Sequence, residues 1–316
     1  MRETSVAGPR TLPAPWAAAL GLDPAVLAGA EVLQDRAGRY VLRLRRAGEP
    51  CVLKWSHGSA ARHESRAYGL LQDLGVPTLR VLARAESALL LEDLGASPTW
   101  RPATPEDVKQ GATGRAIAAW YRTFHAAGGQ WLAAQGGAPS WLGRESDALT
   151  PERILEMGQR LGLEALPLWG LAAEHIEALQ AAARALPETL VYTDFHWTNL
   201  ALSRVSPLRA VVFDYHLLGI GPRYADCRNV TWSLGPAAAG AFCDAYGPPD
   251  AREARLDDVL APLYTLWAAL KPASLPAWAE GARRSAADGS LERALRAALE
   301  GGGGCPQRTP AGGGHE

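Results

Sequence analysis

The chain is short of asparagine and lysine: it has two asparagines, one of them Asn199, and only Lys54, Lys109 and Lys271 as lysines. Arginine carries the rest of the positive charge. The four cysteines, Cys51, Cys227, Cys243 and Cys305, show no CxxC pairing and no metal-like spacing. That excludes a disulfide framework or a zinc site and predicts reduced, structural thiols. No stretch reaches the roughly eighteen uncharged apolar residues that a membrane helix needs. The patch from Trp16 to Leu22 is too short for a signal-peptide core, so a cytoplasmic location is expected. A net charge of −1 gives no electrostatic reason to expect nucleic acid or an anionic membrane as partner.

Against that background Asn199 stands out. Leu190-Val191-Tyr192 runs as a β-like segment into Thr193-Asp194-Phe195-His196-Trp197-Thr198-Asn199, and Ala210-Val211-Val212-Phe213 ends on Asp214. An Asp, an Asn five residues later and a second Asp closing another apolar strand is the spacing that places a catalytic base beside two Mg²⁺ ligands in phosphoryl transfer. Asp194 is the candidate base or orienting group for an acceptor hydroxyl. Asn199 and Asp214 are the candidate ligands, hard oxygen donors that suit Mg²⁺.

The order of elements agrees. Glu31–Gln34, Tyr40–Arg45 and Cys51–Trp55 read as antiparallel strands joined by tight turns. Ser59 precedes a helix over Ala60–Leu74 closed by Gly75. Two more strands are expected near 78–83 and 88–91. After Gly95 the pattern turns helical. Thr104-Pro105-Glu106-Asp107 is predicted to start one helix and Thr150-Pro151-Glu152 another, with a third over Leu168–Leu186. Helices resume from about Tyr224 to Leu299. The expected fold class is α+β: a protein-kinase-like two-lobe fold with a β-rich small N-lobe and a mainly helical C-lobe. The boundaries read as an N-terminal extension at 1–27, the N-lobe at 28–94, the C-lobe at 95–300 and a disordered Gly-rich tail at 301–316. A cleft is expected where the chain crosses near Glu92 to Gly95.

Lys54 lies inside an apolar strand, where a buried cation needs a partner. Glu64, ten residues on and in the following helix, is the candidate. A strand lysine bound to α- and β-phosphates and to a helix glutamate is a recurring kinase device. The backbone of Glu92, Asp93 and Leu94 is the candidate contact for an adenine edge.

Taken together, these motifs resemble the aminoglycoside phosphotransferase and choline kinase-like family of small-molecule kinases. The family's His-Gly-Asp-x-His-x-x-Asn is matched by Tyr192-Thr193-Asp194-Phe195-His196-Trp197-Thr198-Asn199. Its metal aspartate is similar to Asp214 in Val212-Phe213-Asp214-Tyr215, and its Gly-x-Pro-x-x-Asp to Gly221-Pro222-Arg223-Tyr224-Ala225-Asp226. Tyr121-Arg122-Thr123-Phe124-His125 looks like its Leu-His helix end. The resemblance spans roughly residues 28 to 300 and implies MgATP as cosubstrate and a small hydroxylated acceptor. It also implies that Asp226 braces the catalytic loop backbone. Three departures are visible. Tyr192 replaces a histidine that braces the loop, and its ring is expected to pack there. The phosphate-covering loop Gln34–Arg39 has a single glycine, Gly38, so backbone approach to phosphates is less free. His216 stands where the family more often has an acid.

The acceptor is less legible. Between Arg223 and Glu300 ten acids face nine bases, so no acidic surplus points to a polycation. Tryptophans such as Trp197, Trp232, Trp267 and Trp278 offer faces for a sugar or a quaternary ammonium. Trp197, inside the catalytic loop, is the candidate substrate contact. Two rival readings are a metal-dependent hydrolase using the Asp194-x-His196 and Asp214-x-His216 pairs, and a non-catalytic pseudokinase.

Overall fold

The computed structural model describes residues 11–36, 38–270 and 275–301. The tail beyond Gly301, Cys305, Lys271 and Ala37 of the Gln34–Arg39 loop lie outside the described residues. The chain opens with helix α1 (Ala14–Leu20). Strands β1 (Glu31–Arg36), β2 (Arg39–Arg46) and β3 (Glu49–Ser56), helix α2 (Ser59–Asp73), and strands β4 (Val81–Ala85) and β5 (Ala88–Glu92) follow. The strands pair antiparallel in the order β1-β2-β3-β5-β4.

Strand alternation gives this sheet two distinct faces. Tyr40, Leu42 and Leu44 of β2, Cys51, Leu53 and Trp55 of β3, and Ala88 and Leu90 of β5 form one core with Leu12, Ala17 and Leu20. The other face carries Val41 beside Lys54 and Leu89, and Arg43 beside Val52 and Leu91. Helix α2 contributes Tyr68 and Leu71, which join Leu89 and Leu91 in the main core.

Beyond the sheet the chain forms β6 (Trp100–Pro102), α3 (Gly111–Gln135), α4 (Pro151–Arg160) and α5 (Pro167–Arg184). Short strands β7 (Thr189–Val191), β8 (Leu200–Ser203), β9 (Ala210–Val212) and β10 (Gly219–Gly221) come next. Helices α6 (Tyr224–Ser233), α7 (Pro236–Tyr246), α8 (Ala251–Ala269), α9 (Glu280–Ala287) and α10 (Ser290–Gly301) complete it. The helix expected to begin at Thr104 begins at Gly111 instead. Asp107 folds back to accept from the Thr104 amide and hydroxyl, both at 2.8 Å, and from both Arg101 Nη atoms at 2.7 Å. This local alternative to the helix ladder is a known competitor for short polar side chains.

Two compact units are distinguishable, Met1–Gly143 with Glu188–Pro248, and Arg144–Pro187 with Pro249–Glu316. In the first, Ile117, Trp120, Tyr121 and Phe124 of α3 share the main core with Leu190, Leu200, Leu202 and Val211. A Cβ on Gly128 of α3 would meet Thr189 Oγ1 at 2.7 Å, so glycine lets the helix close onto β7. In the second, Ile154, Met157, Trp169, Ile176, Leu263, Leu266 and Leu295 form a separate helical core. No described helix is long and apolar enough to cross a membrane.

Candidate active site

The candidate catalytic, metal, nucleotide and Trp197 substrate residues singled out from the sequence all lie in the first unit, whereas Trp267 and Trp278 lie in the second. Lys54 projects from β3, and its Nζ reaches Glu64 Oε1 at 2.9 Å and Oε2 at 2.8 Å. The same ammonium meets Asp214 Oδ1 at 2.6 Å, 160 residues away in sequence. Burial works against the charge on Lys54, but Glu64 and Asp214 outweigh it and raise its pKa. Glu64 is 2% exposed. Burial pushes its carboxyl up, and Lys54 pulls the other way.

Asp214 follows β9 in a left-handed backbone conformation, φ +71°. Burial would raise its carboxyl, but the hydrogen bond from His216 and the charge of Lys54 hold it well below the usual range. His216 Nδ1 lies 2.9 Å from Asp214 Oδ1, the oxygen that Lys54 also contacts. His216 is raised in turn, chiefly by that bond. Its position, unexplained by sequence, is thus a second donor to Asp214.

Asp194 is half-buried in the turn after β7, and its side chain has no hydrogen-bond partner among the described residues. Burial pushes its carboxyl up; His216 opposes this and Asp214 reinforces it. Asn199 closes the short 3₁₀ turn Trp197–Asn199. Its Nδ2 donates to Tyr192 Oη at 3.0 Å and to the Asp194 carbonyl at 3.3 Å, which fixes the amide and points Oδ1 elsewhere. The Tyr192 ring is buried as expected. Its hydroxyl also donates to the Phe213 carbonyl at 2.8 Å, tying the two loops together.

Asp226, fully buried near the start of α6, accepts from the Tyr192 amide at 2.9 Å and the Thr193 amide at 2.7 Å. His125 Nε2 lies 3.0 Å from Asp226 Oδ2, the oxygen that the Tyr192 amide also reaches, and His125 Nδ1 lies 2.7 Å from Tyr246 Oη. Two further α6 residues were not anticipated. Asn229 Nδ2 donates to the Thr193 carbonyl at 2.9 Å, and Ser233 Oγ to the Phe195 carbonyl at 3.0 Å. Positions 226, 229 and 233 share one helix face, so the pattern was present, but its target lay 34 to 38 residues upstream. Thr193 takes φ +54°, uncommon for a β-branched residue, and its buried hydroxyl has no partner among the described residues.

The crossing segment is more committed than its sequence suggested. Glu92 accepts from the Arg80 amide and from Ser97 Oγ, both at 2.8 Å, and its own amide donates to the Arg80 carbonyl. Asp93 pairs with Arg43 Nε at 2.9 Å and accepts from the Gly95 amide at 3.0 Å. Leu94 packs against the main core. Trp197 is half-buried against that core, whereas Trp232 on α6 is 76% exposed, with the Arg228 guanidinium 5.0 Å from its ring centre. Cys51 is buried, Cys227 half-buried and Cys243 exposed; all are free thiols.

A family model described as "Phosphotransferase enzyme family" matches residues 30–263. No curated protein matches the chain. Among solved structures, a choline/ethanolamine kinase family protein from Mesorhizobium loti is similar at 17% identity, with 90% of this chain and 97% of that chain covered and a TM-score of 0.58. A macrolide 2′-phosphotransferase from Brachybacterium faecium shares 20% identity over 85% of this chain and 95% of its own, with a TM-score of 0.54. A choline kinase from Streptococcus pneumoniae shares 13% identity over 85% and 93%, with a TM-score of 0.53. The fold is the expected α+β, protein-kinase-like one: an antiparallel sheet lobe followed by a mainly helical lobe.

Proposed function

The chain belongs to the phosphotransferase enzyme family, and from that premise we propose that it transfers a phosphoryl group from ATP, with Mg²⁺, to the hydroxyl of a small molecule. The observation that carries this reading is the bridge of Lys54 Nζ between Glu64 and Asp214. It brings a small-lobe ammonium to the carboxylate that ends β9.

The donor set fits the metal. Asn199 offers Oδ1, because its Nδ2 is spent on Tyr192 and Asp194. Asp214 offers Oδ2, which takes no donor among the described residues, while Oδ1 holds Lys54 and His216. Hard oxygens of this kind suit Mg²⁺, whose chemistry here is to neutralise charge on the transferred phosphate. Lys54, oriented by Glu64, would contact the α- and β-phosphates. The base would be held near the apolar Val41 and Val52 on the Lys54 face and by the backbone of Glu92, Asp93 and Leu94. Asp194, with no side-chain hydrogen bond among the described residues and its carboxyl pushed up by burial, would orient the acceptor hydroxyl and accept its proton. Tyr192 and Asp226 hold the loop that carries it.

For the acceptor, the similar structures include enzymes named for choline, ethanolamine and macrolides. A sugar, an amino alcohol or an aminoglycoside-like molecule is the class we assign, with Trp197 as its contact. The hydrolase reading finds no support, since the described residues hold no cluster of three or more His, Cys, Asp or Glu placed for a metal. His196 is exposed and engages Thr198. The pseudokinase reading lacks a missing catalytic group. An ATP-consumption screen across sugars, amino alcohols and aminoglycosides tests the proposal. Turnover with one class, abolished by Asp194→Asn, supports it; wild-type turnover in both Asp194→Asn and Asp214→Ala overturns it.

A further inference from the structure

The hairpin of β1 and β2 ends in two arginines that no contact among the described residues accounts for. Arg36 and Arg39 are direct cross-strand partners, so two like charges face each other, an arrangement that destabilises a strand pair. Both are exposed, and neither has a hydrogen-bond or ion-pair partner among the described residues. The other arginines of this sheet are all tied down. Arg43 holds Glu31 and Asp93, Arg45 the Gly48 carbonyl, Arg46 the Leu82 carbonyl and Arg84 the Ser65 carbonyl.

Register places the untied pair on a particular face. Val41 is the Cα partner of Lys54, and Arg39 is the partner of Ser56, each two residues further along its strand. Residues two apart on a strand share a face and are separated by about 6.6 Å. Arg39, and Arg36 opposite it, therefore share the face of Lys54, one strand repeat further toward the hairpin end. The adjacent pair away from the turn, Asp35 and Tyr40, lies on the opposite face. On this side of the sheet Lys54 is met by Glu64 and Asp214 and Arg43 by Glu31 and Asp93, whereas Arg36 and Arg39 meet no carboxylate among the described residues.

We propose that Arg36 and Arg39 form a guanidinium clamp on the terminal phosphates of the bound nucleotide. This rests on the phosphotransferase reading and names how the polyphosphate is held. A loop with a single glycine, Gly38, cannot offer a run of freely approaching backbone amides. Two guanidinium forks supply the missing donors, since each presents parallel N–H groups that match phosphate oxygens. The repulsion between them in the free protein is relieved when a polyanion lies between. The ligand class is a nucleoside di- or triphosphate; a nucleoside without phosphates gains nothing from the pair.

The test is calorimetric titration of the full chain with ADP, a non-hydrolysable ATP analogue and adenosine, each with Mg²⁺, at two salt concentrations. For the Arg36→Ala/Arg39→Ala variant the expected result is ADP and ATP-analogue binding weakened about tenfold or more, the usual effect of losing charge-assisted bonds. Adenosine binding should stay at the wild-type level, and the salt dependence of ADP binding should flatten. Arg36→Lys/Arg39→Lys should recover part of the affinity, as charge without the fork. Because the pair is repulsive in the free protein, the alanine variant should melt at or above the wild-type temperature. Wild-type ADP and ATP-analogue affinity in the alanine variant, or an equal loss for adenosine, overturns the clamp and leaves the phosphotransferase reading standing. A wild-type protein that binds no adenine nucleotide overturns both.

Discussion

The Tyr192 hydroxyl donates to the Phe213 carbonyl at 2.8 Å, so the residue before the turn of Asp194 is fastened to the residue before Asp214. The same oxygen accepts from Asn199 at 3.0 Å. One buried phenol thereby links the turn that carries Asp194 to both candidate metal ligands. Tyr192→Phe should strip the Phe213 carbonyl and the Asn199 amide of a partner while preserving the ring's packing. A buried acceptor left unsatisfied costs about 1–3 kcal/mol. The variant should melt lower, and Mg²⁺-dependent ATP-analogue binding should weaken more than binding of adenosine. Unchanged melting and unchanged metal dependence would argue that the bridge is idle.

Asp194→Asn should lower turnover by about 10²–10⁴-fold while nucleotide binding persists. Its pH behaviour carries a sign. Burial raises the folded-state pKa above the ordinary 3.8, so the ionised form is disfavoured by folding. Stability from this group is full below the unfolded value and is lost as pH rises through the folded one. The asparagine variant should therefore be more stable than wild type at neutral pH, with the gain shrinking as pH falls toward 3.8. In wild type, kcat should fall on the acid side at a pH above the ordinary carboxylate value. Thermal melts and pH–rate profiles of both proteins check this.

Lys54→Met separates a structural effect from a chemical one. Glu64 would lose its buried counter-charge, and breaking such a pair typically costs about 3–5 kcal/mol. The loss should grow as pH rises, because burial already pushes the Glu64 carboxyl up and protonation relieves the orphaned charge. Adding Glu64→Gln should restore much of the stability and none of the activity. A Lys54→Met protein that kept its turnover would favour the hydrolase reading.

Thr193→Gly should stabilise the protein, against the usual trend for glycine substitutions. The wild-type residue holds φ +54° with an unpartnered buried hydroxyl. Glycine removes both penalties, and relief of such a backbone is worth about 1 kcal/mol or more. Denaturant melts that place the variant below wild type would show that the threonine methyl packs better than its dihedral suggests.

The sequence disclosed the parts of the site that are local. Lys54 on β3, Glu64 on α2, and Asp194, Asn199 and Asp214 in the turns beside short strands were singled out by their spacing, and the scarcity of lysine and asparagine made Lys54 and Asn199 conspicuous. What it could not disclose depends on local backbone conformation or on distant pairing. His216 acts through its proximity to Asp214, and the hydroxyl of Tyr192 through a carbonyl 21 residues away. The α3 helix start was misplaced because Thr104 and Arg101 compete for Asp107 with the helix itself. Strand β6 was missed because three residues carry too little pattern, and pairing with β8 supplies the rest.

Helix α6 measures out the turn that carries Asp194 by angle as well as by composition. Asp226, Asn229 and Ser233 reach Thr193 and Phe195 only because each step of the helix turns the next side chain by about 100°. A residue inserted between Asp226 and Asn229 would leave every polar group in place on paper and swing the later two off their carbonyls. Engineering that grafts this segment onto a related scaffold therefore has to transplant helical phase intact.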